Sequence, residues 1–191
     1  MTNFQKKLII IGASVGGPAA IFLLLSEFPT QFSPVIIVQH MYKEMVTPWT
    51  KNLQKYFPHL KIDVPKNKEA IKSDHIYIAE GGKHCEVTEE RKIYSYQGDR
   101  VNFVIPSVDV TFISAAKVYG ENLLGIILTG TGRDGAYGAK KIKESGGTII
   151  VEHDSTCVID SMPKAVIEAK LADQILPIHD IPFMLRKDGW I

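Results

Sequence analysis

The sequence predicts an α/β protein built in three layers, with a doubly wound, mostly parallel sheet and a β-hairpin insertion. Three observations carry that expectation. Apolar runs such as LIII at residues 8–11 and PVIIV at 34–38 are continuous rather than alternating, as strands buried on both faces require. Stretches of helical pattern separate them, which favours parallel pairing through crossover connections. Several of these strands run into glycine-bearing turns, where such folds collect their functional groups.

Taken in order, residues 8–11 form the first strand, ending at Gly12, and residues 18–25 carry a helical apolar pattern. Residues 34–38 are the second strand, and an amphipathic stretch follows over 46–56. HIYIA at 75–79 is another strand, closed by Gly81 and Gly82. Residues 85–87 and 92–96 resemble a hairpin around the charged turn 89–91. A helix over 110–119 leads to the strand GIIL at 125–128 and the turn GTGRDG. Residues 137–145 form a helix that Gly146 and Gly147 end, 148–151 form the next strand, and 163–169 open a helix with Pro163 at a favoured first position. With no repeat, low-complexity segment or long linker, residues 1–191 read as a single domain.

Composition narrows the function. The chain is 45% hydrophobic and 23% charged, ordinary for a globular protein. A formal net charge of +1 supplies no field for drawing in nucleic acid or an anionic surface, so no nucleic-acid partner is expected. The start MTNFQKKLIII superficially resembles a signal peptide, but Gly12, Gly16 and Gly17 interrupt it and it reads better as a buried strand. No apolar stretch approaches the ~20 residues that cross a bilayer, so no membrane insertion is expected. The two cysteines, Cys85 and Cys157, form no framework, and a reduced cytoplasmic setting is the simplest expectation.

The first glycine turn carries chemistry. Gly12-x-Ser14-x-Gly16 follows an apolar strand and precedes a helix, the arrangement of a nucleophile elbow. Ser14 would stand above the sheet edge at a helix N-terminus, where free N–H groups can hold an oxyanion. A serine there can also simply cap the helix. His40 ends the second strand and would share one crevice with Ser14 if the two strands are neighbours. An imidazole is suited to take a seryl proton near neutral pH. A lone histidine is more often structural, and five others (His59, His75, His84, His153 and His179) occur; His84 is the second choice for the base.

The second glycine turn has two readings. Gly130-x-Gly132-x-x-Gly135 is a literal dinucleotide fingerprint, and Glu152 closes the next strand about 20 residues on. Against it, Asp134 would place a carboxylate where a pyrophosphate sits, and too little chain follows for a two-half nucleotide fold. The favoured alternative makes Asp134 the partner of the histidine in a Ser14–His40–Asp134 triad, with backbone N–H groups near Thr131 as oxyanion donors. No metal or organic cofactor is expected, because no ligand spacing suggests one.

GASVGG, VQHM, AEGGKHC, PSVD, LTGTGRDGA and SMPKA follow one another in an order similar to the catalytic domain of the chemotaxis protein-glutamate methylesterases. The resemblance runs from about residue 8 to residue 169. It implies hydrolysis of glutamate methyl esters, and in some members glutamine deamidation, on the cytoplasmic domains of methyl-accepting chemoreceptors, with release of methanol. It implies Ser14 as nucleophile, His40 as base and then acid, and Asp134 as its orienting partner. Thr131 stands where the family usually has a methionine whose backbone N–H binds the oxyanion, and Val15, with threonine usual there, follows the nucleophile beside the same hole. Glu80 and Ser161 also depart from the family pattern, in place of a proline and a glycine. Many members carry a receiver domain ahead of the esterase; here the domain reads as standing without it, with a separate receiver as the regulatory partner the resemblance allows. The rival expectations are a non-catalytic module binding a nucleotide or a receptor helix in the same crevice, and a general small-ester hydrolase.

Overall fold

Runs of β-branched and large aliphatic residues with no polar face favour strands that are covered on both sides. The structure is a computed structural model describing residues 6–191, so the first five residues of the signal-like start lie outside it. In chain order its elements are β1 (Leu8–Ala13), α1 (Gly17–Leu25), β2 (Val35–Gln39), α2 (Lys43–Tyr56), β3 (Lys61–Asp63), β4 (Glu69–Ala70), β5 (His75–Ile78), β6 (His84–Val87) and β7 (Lys92–Tyr96). There follow α3 (Val108–Tyr119), β8 (Leu123–Ile127), α4 (Ala136–Glu144), β9 (Thr148–Glu152), α5 (Ser161–Glu168), β10 (Gln174–Leu176) and α6 (Ile181–Lys187).

The main sheet has seven strands in the order β10-β9-β8-β1-β2-β5-β3, and every pairing in it is parallel. Residues of one strand alternate between two cores. Ile9, Ile11 and Ala13 of β1 pack with residues of α1, α2 and α6, whereas Leu8 and Ile10 face α3, α4 and α5. The three expected layers follow directly. A smaller antiparallel sheet, β4-β7-β6, forms the hairpin insertion, and its Cys85, Val87 and Ile93 join the second core. Among the described residues no helix is long and apolar enough to cross a membrane.

Several details differ from the sequence expectation. The strands β3, β4 and β10 are two or three residues long and lie at sheet edges, too short to carry a periodic signal. The seven-residue helix α6 likewise carries too little periodicity to be read from the sequence. Helix α3 begins at Val108 rather than 110, and Pro163 lies within the first turn of α5 rather than at its first position. The reversal of strand order occurs at β1, whose two neighbours are β2 and β8. The crevice at the carboxyl ends of these three strands is the topological switch point of the sheet.

Candidate active site

Ser14 follows the last residue of β1 and His40 follows the last residue of β2, which pair in register as Ala13 and Gln39. The His40 N–H donates to Ala13 O at 2.9 Å, and the Ser14 N–H donates to Thr129 O, beyond the end of β8, at 3.0 Å. The two expected strand-end residues and the GTGRDG turn therefore converge. Gln39, fully buried, ties them further: its Nε2 donates to Ser14 O at 2.8 Å and to His40 O at 2.9 Å. Gly17 is required next to that clamp, because a Cβ there would overlap Gln39 Oε1. Gly130 lets the second turn slide beneath the serine; a Cβ on it would lie 2.7 Å from Ser14 Cβ.

Asp134 is 2% exposed and heavily solvated by protein donors. Its Oδ2 accepts from His40 Nε2 at 2.9 Å and from the Val108 N–H at 2.6 Å. Its Oδ1 accepts from Ser107 Oγ at 2.7 Å, Asn102 Nδ2 at 3.0 Å and the Asp109 N–H at 3.2 Å. The carboxylate thus caps the N-terminus of α3, where unpaired N–H groups favour negative charge. Burial pushes its carboxyl up, but the hydrogen bonds from His40, Ser107 and Val108 outweigh burial and hold it below the usual carboxylate range. Asp109, beside it, goes the other way: burial raises it, only partly offset by the Gly138 N–H.

A carboxylate only accepts, so His40 Nε2 carries the proton and donates it to Asp134. His40 Nδ1 is left unprotonated, buried and without a hydrogen-bond partner. The Ser14 hydroxyl has no hydrogen-bond partner among the described residues and is half-buried. A free imidazole lone pair and a free hydroxyl thus sit at the ends of adjacent strands. The Val15 and Thr131 N–H groups, expected as oxyanion donors, donate to no acceptor among the described residues, and both residues are exposed.

The remaining candidates fall into structural roles. His84 spends Nε2 on Asp99 O at 2.8 Å while its Nδ1 accepts from the Ser107 N–H at 3.3 Å, so it cannot serve Ser14. Glu152 is 1% exposed and accepts from the Thr129 N–H at 2.8 Å and from Thr156 Oγ1 at 2.9 Å, so it ties loops together inside the protein and presents no free face to a ribose. With Asp134 filling its loop, the dinucleotide reading gains no support. Glu80 pairs with Lys83 at 2.9 Å. Ser161 opens α5, and the neighbouring Met162 packs against Gly130. Asp63, Glu69 and His75 group closely enough to hold a cation, but His75 opens β5 at the opposite end of the sheet from Ser14.

Sequence reasoning missed Gln39, Asn102 and Ser107. Ser107 had a usable signal, a serine just before an apolar helical run. Gln39 and Asn102 had none, since their roles exist only once the strands and the α3 N-terminus meet.

Fold and site together define a class: a doubly wound parallel α/β domain with a seryl hydroxyl, a carboxylate-bound imidazole and free backbone donors at its switch point. The description of CheB methylesterases matches residues 9–185, and the chain belongs to that family of carboxyl-ester hydrolases. A Leptospira interrogans chain provisionally named a protein-glutamate methylesterase/protein-glutamine glutaminase is 42% identical over 91% of this chain and 90% of its own length. The Thermotoga maritima protein-glutamate methylesterase/protein-glutamine glutaminase is 37% identical over 92% of this chain but only 52% of its own. The crystal structure of the Thermotoga maritima CheB methylesterase catalytic domain superposes with a TM-score of 0.89 at 35% identity, covering 95% of this chain and 97% of that one.

Proposed function

We propose that residues 1–191 act as one catalytic domain that hydrolyses glutamate γ-methyl esters, and deamidates glutamines, on the cytoplasmic domains of chemoreceptors through Ser14, His40 and Asp134. The single observation that supports the triad best is the His40 ring: Nε2 bonded to a buried carboxylate, Nδ1 buried and unspent. His40 Nδ1 takes the Ser14 proton as Oγ attacks the ester carbonyl. Asp134 holds the tautomer and stabilises the imidazolium. The Val15 and Thr131 N–H groups receive the oxyanion, and methanol leaves with the proton that His40 returns. Water then attacks the acyl-enzyme, giving its proton to the same nitrogen and regenerating Ser14 and a free glutamate. A side-chain amide follows the same path with ammonia as leaving group. The setting is cytoplasmic, where receptor signalling domains lie, and a receiver domain is the regulatory partner that fits.

Methanol release from a methylated chemoreceptor cytoplasmic fragment tests the reading. Wild type releases methanol, while Ser14→Ala and His40→Ala each lose at least about 10³-fold with the fold intact. A folded wild type that releases none, or a Ser14→Ala variant that matches it, overturns the assignment.

A further inference from the structure

The loop between β7 and α3 contains a backbone that its residues do not favour. Val101 and Val104 exchange N–H···O bonds at 3.1 and 3.0 Å, closing a two-residue hairpin. Its central residues, Asn102 and Phe103, have φ of +51° and +67°. Positive φ at both centres is the pattern of a type I′ turn, whose second centre is ordinarily glycine. Asparagine tolerates the left-handed region, but an aromatic side chain is strained there. Phe103 is moreover 91% exposed, so no burial offsets the strain. Such an outlier points to function rather than stability.

Its position says which function. Asn102 turns inward and bonds both Asp134 Oδ1 and Asp109 Oδ2, so the turn is anchored on the partner of His40. Phe103, next in the chain, projects outward. The same loop contributes Arg100, Val104 and Ile105 to a cavity of about 470 Å³ that reaches His40. Arg100 donates to Phe103 O at 3.1 Å and is otherwise exposed. Lys43 adds a second cation to the cavity wall but lies 4.0 Å from Glu44, the one acid lining it, so Arg100 carries the net positive charge, and Tyr42 stands 84% exposed beside them. An aromatic knob, apolar walls and an excess of cations suit a polypeptide that carries glutamates between apolar side chains.

We propose that the 101–104 turn is a docking element for the polypeptide around the scissile ester, with Phe103 as its apolar anchor and Arg100 pairing a neighbouring unmodified glutamate. This deepens the function proposed above and rests on it. The turn recognises the substrate's flanks and takes no part in bond breaking, so it separates protein substrates from small esters.

Two measurements test it on the full chain. The first is the ratio of kcat/KM for a methylated chemoreceptor cytoplasmic fragment to that for N-acetyl-glutamate γ-methyl ester. Phe103→Gly lowers this ratio at least tenfold while its Tm rises by roughly 2 °C, because the strain is relieved; Arg100→Gln lowers the ratio less, and more at low than at high salt. The second is binding of the same fragment to Ser14→Ala, which weakens at least tenfold when Phe103→Gly is added. An unchanged ratio and unchanged binding in Phe103→Gly overturn the docking role, whatever the turnover. Tight binding that depends on Phe103, with no methanol released by wild type, supports docking and overturns only the proposed chemistry.

Discussion

At the scale of single residues, Asp134 is the group on which most of the site converges. Five donors from three parts of the chain meet its two oxygens, and one of them is the imidazole of His40. Replacing it by asparagine neutralises the charge at the α3 N-terminus and turns an NH₂ toward groups that donate. At pH 7 Asp134→Asn is expected to cost about 1–3 kcal/mol of stability, the cost of leaving buried donors poorly satisfied. The pH dependence has a defined sign. The folded-state pKa lies below the unfolded one, so the stabilisation is complete above about pH 4 and is lost as pH falls through the folded value. Unfolding free energies of wild type and Asp134→Asn should therefore converge toward the acid end; a gap that stays constant or widens there contradicts this account. The positions of Ser14, His40 and Asp134 are legible in the sequence, the first two because they follow apolar strands directly and the third because it lies in a glycine-marked turn before a helix. Asn102 is not legible, since nothing in VNFV announces that one amide will bridge two buried carboxylates.

Among the elements, the decisive junction is between the ends of β1 and β2 and the start of α1. Gln39 holds the carbonyls on which Ser14 and His40 hang, and Gly17 makes room for it. Gly17→Ala lies in a helix, where alanine is intrinsically preferred, so propensity alone predicts a gain. Overpacking against a fully buried glutamine outweighs that gain and costs about 1–3 kcal/mol. The displaced clamp should also lower methanol release by roughly tenfold, since about 1 Å of misplacement at a reacting group is enough. Thermal unfolding and turnover of this one variant check both; a stabilised, fully active Gly17→Ala refutes the clamp. The long central strands could be read from their unbroken apolar runs. The edges β3 and β10 could not, because three residues that face solvent on one side carry too little pattern. Helix α3 starts earlier than its apolar pattern indicates because its first turn is fixed from outside, by Asp134 accepting the Val108 and Asp109 N–H groups.

For the whole molecule, the parallel sheet explains why residues separated by more than a hundred positions lie together. Parallel strands all deliver their carboxyl ends to one edge, and the order reverses at β1, so the β1, β2 and β8 turns share a crevice. The fold class follows from hydrophobic patterning alone. The substrate does not, because the surface that meets it depends on a strained hairpin and a cavity formed by loops distant in sequence. In the proposed mechanism Ser14 forms a covalent acyl-enzyme, and one experiment tests this. Wild-type protein mixed with methylated receptor fragment, quenched in acid during turnover, digested and analysed by mass spectrometry should yield a glutamyl ester on the peptide containing Ser14. That species should be absent from Ser14→Ala. Methanol released with no adduct on Ser14, and at an undiminished rate from Ser14→Ala, would contradict the account.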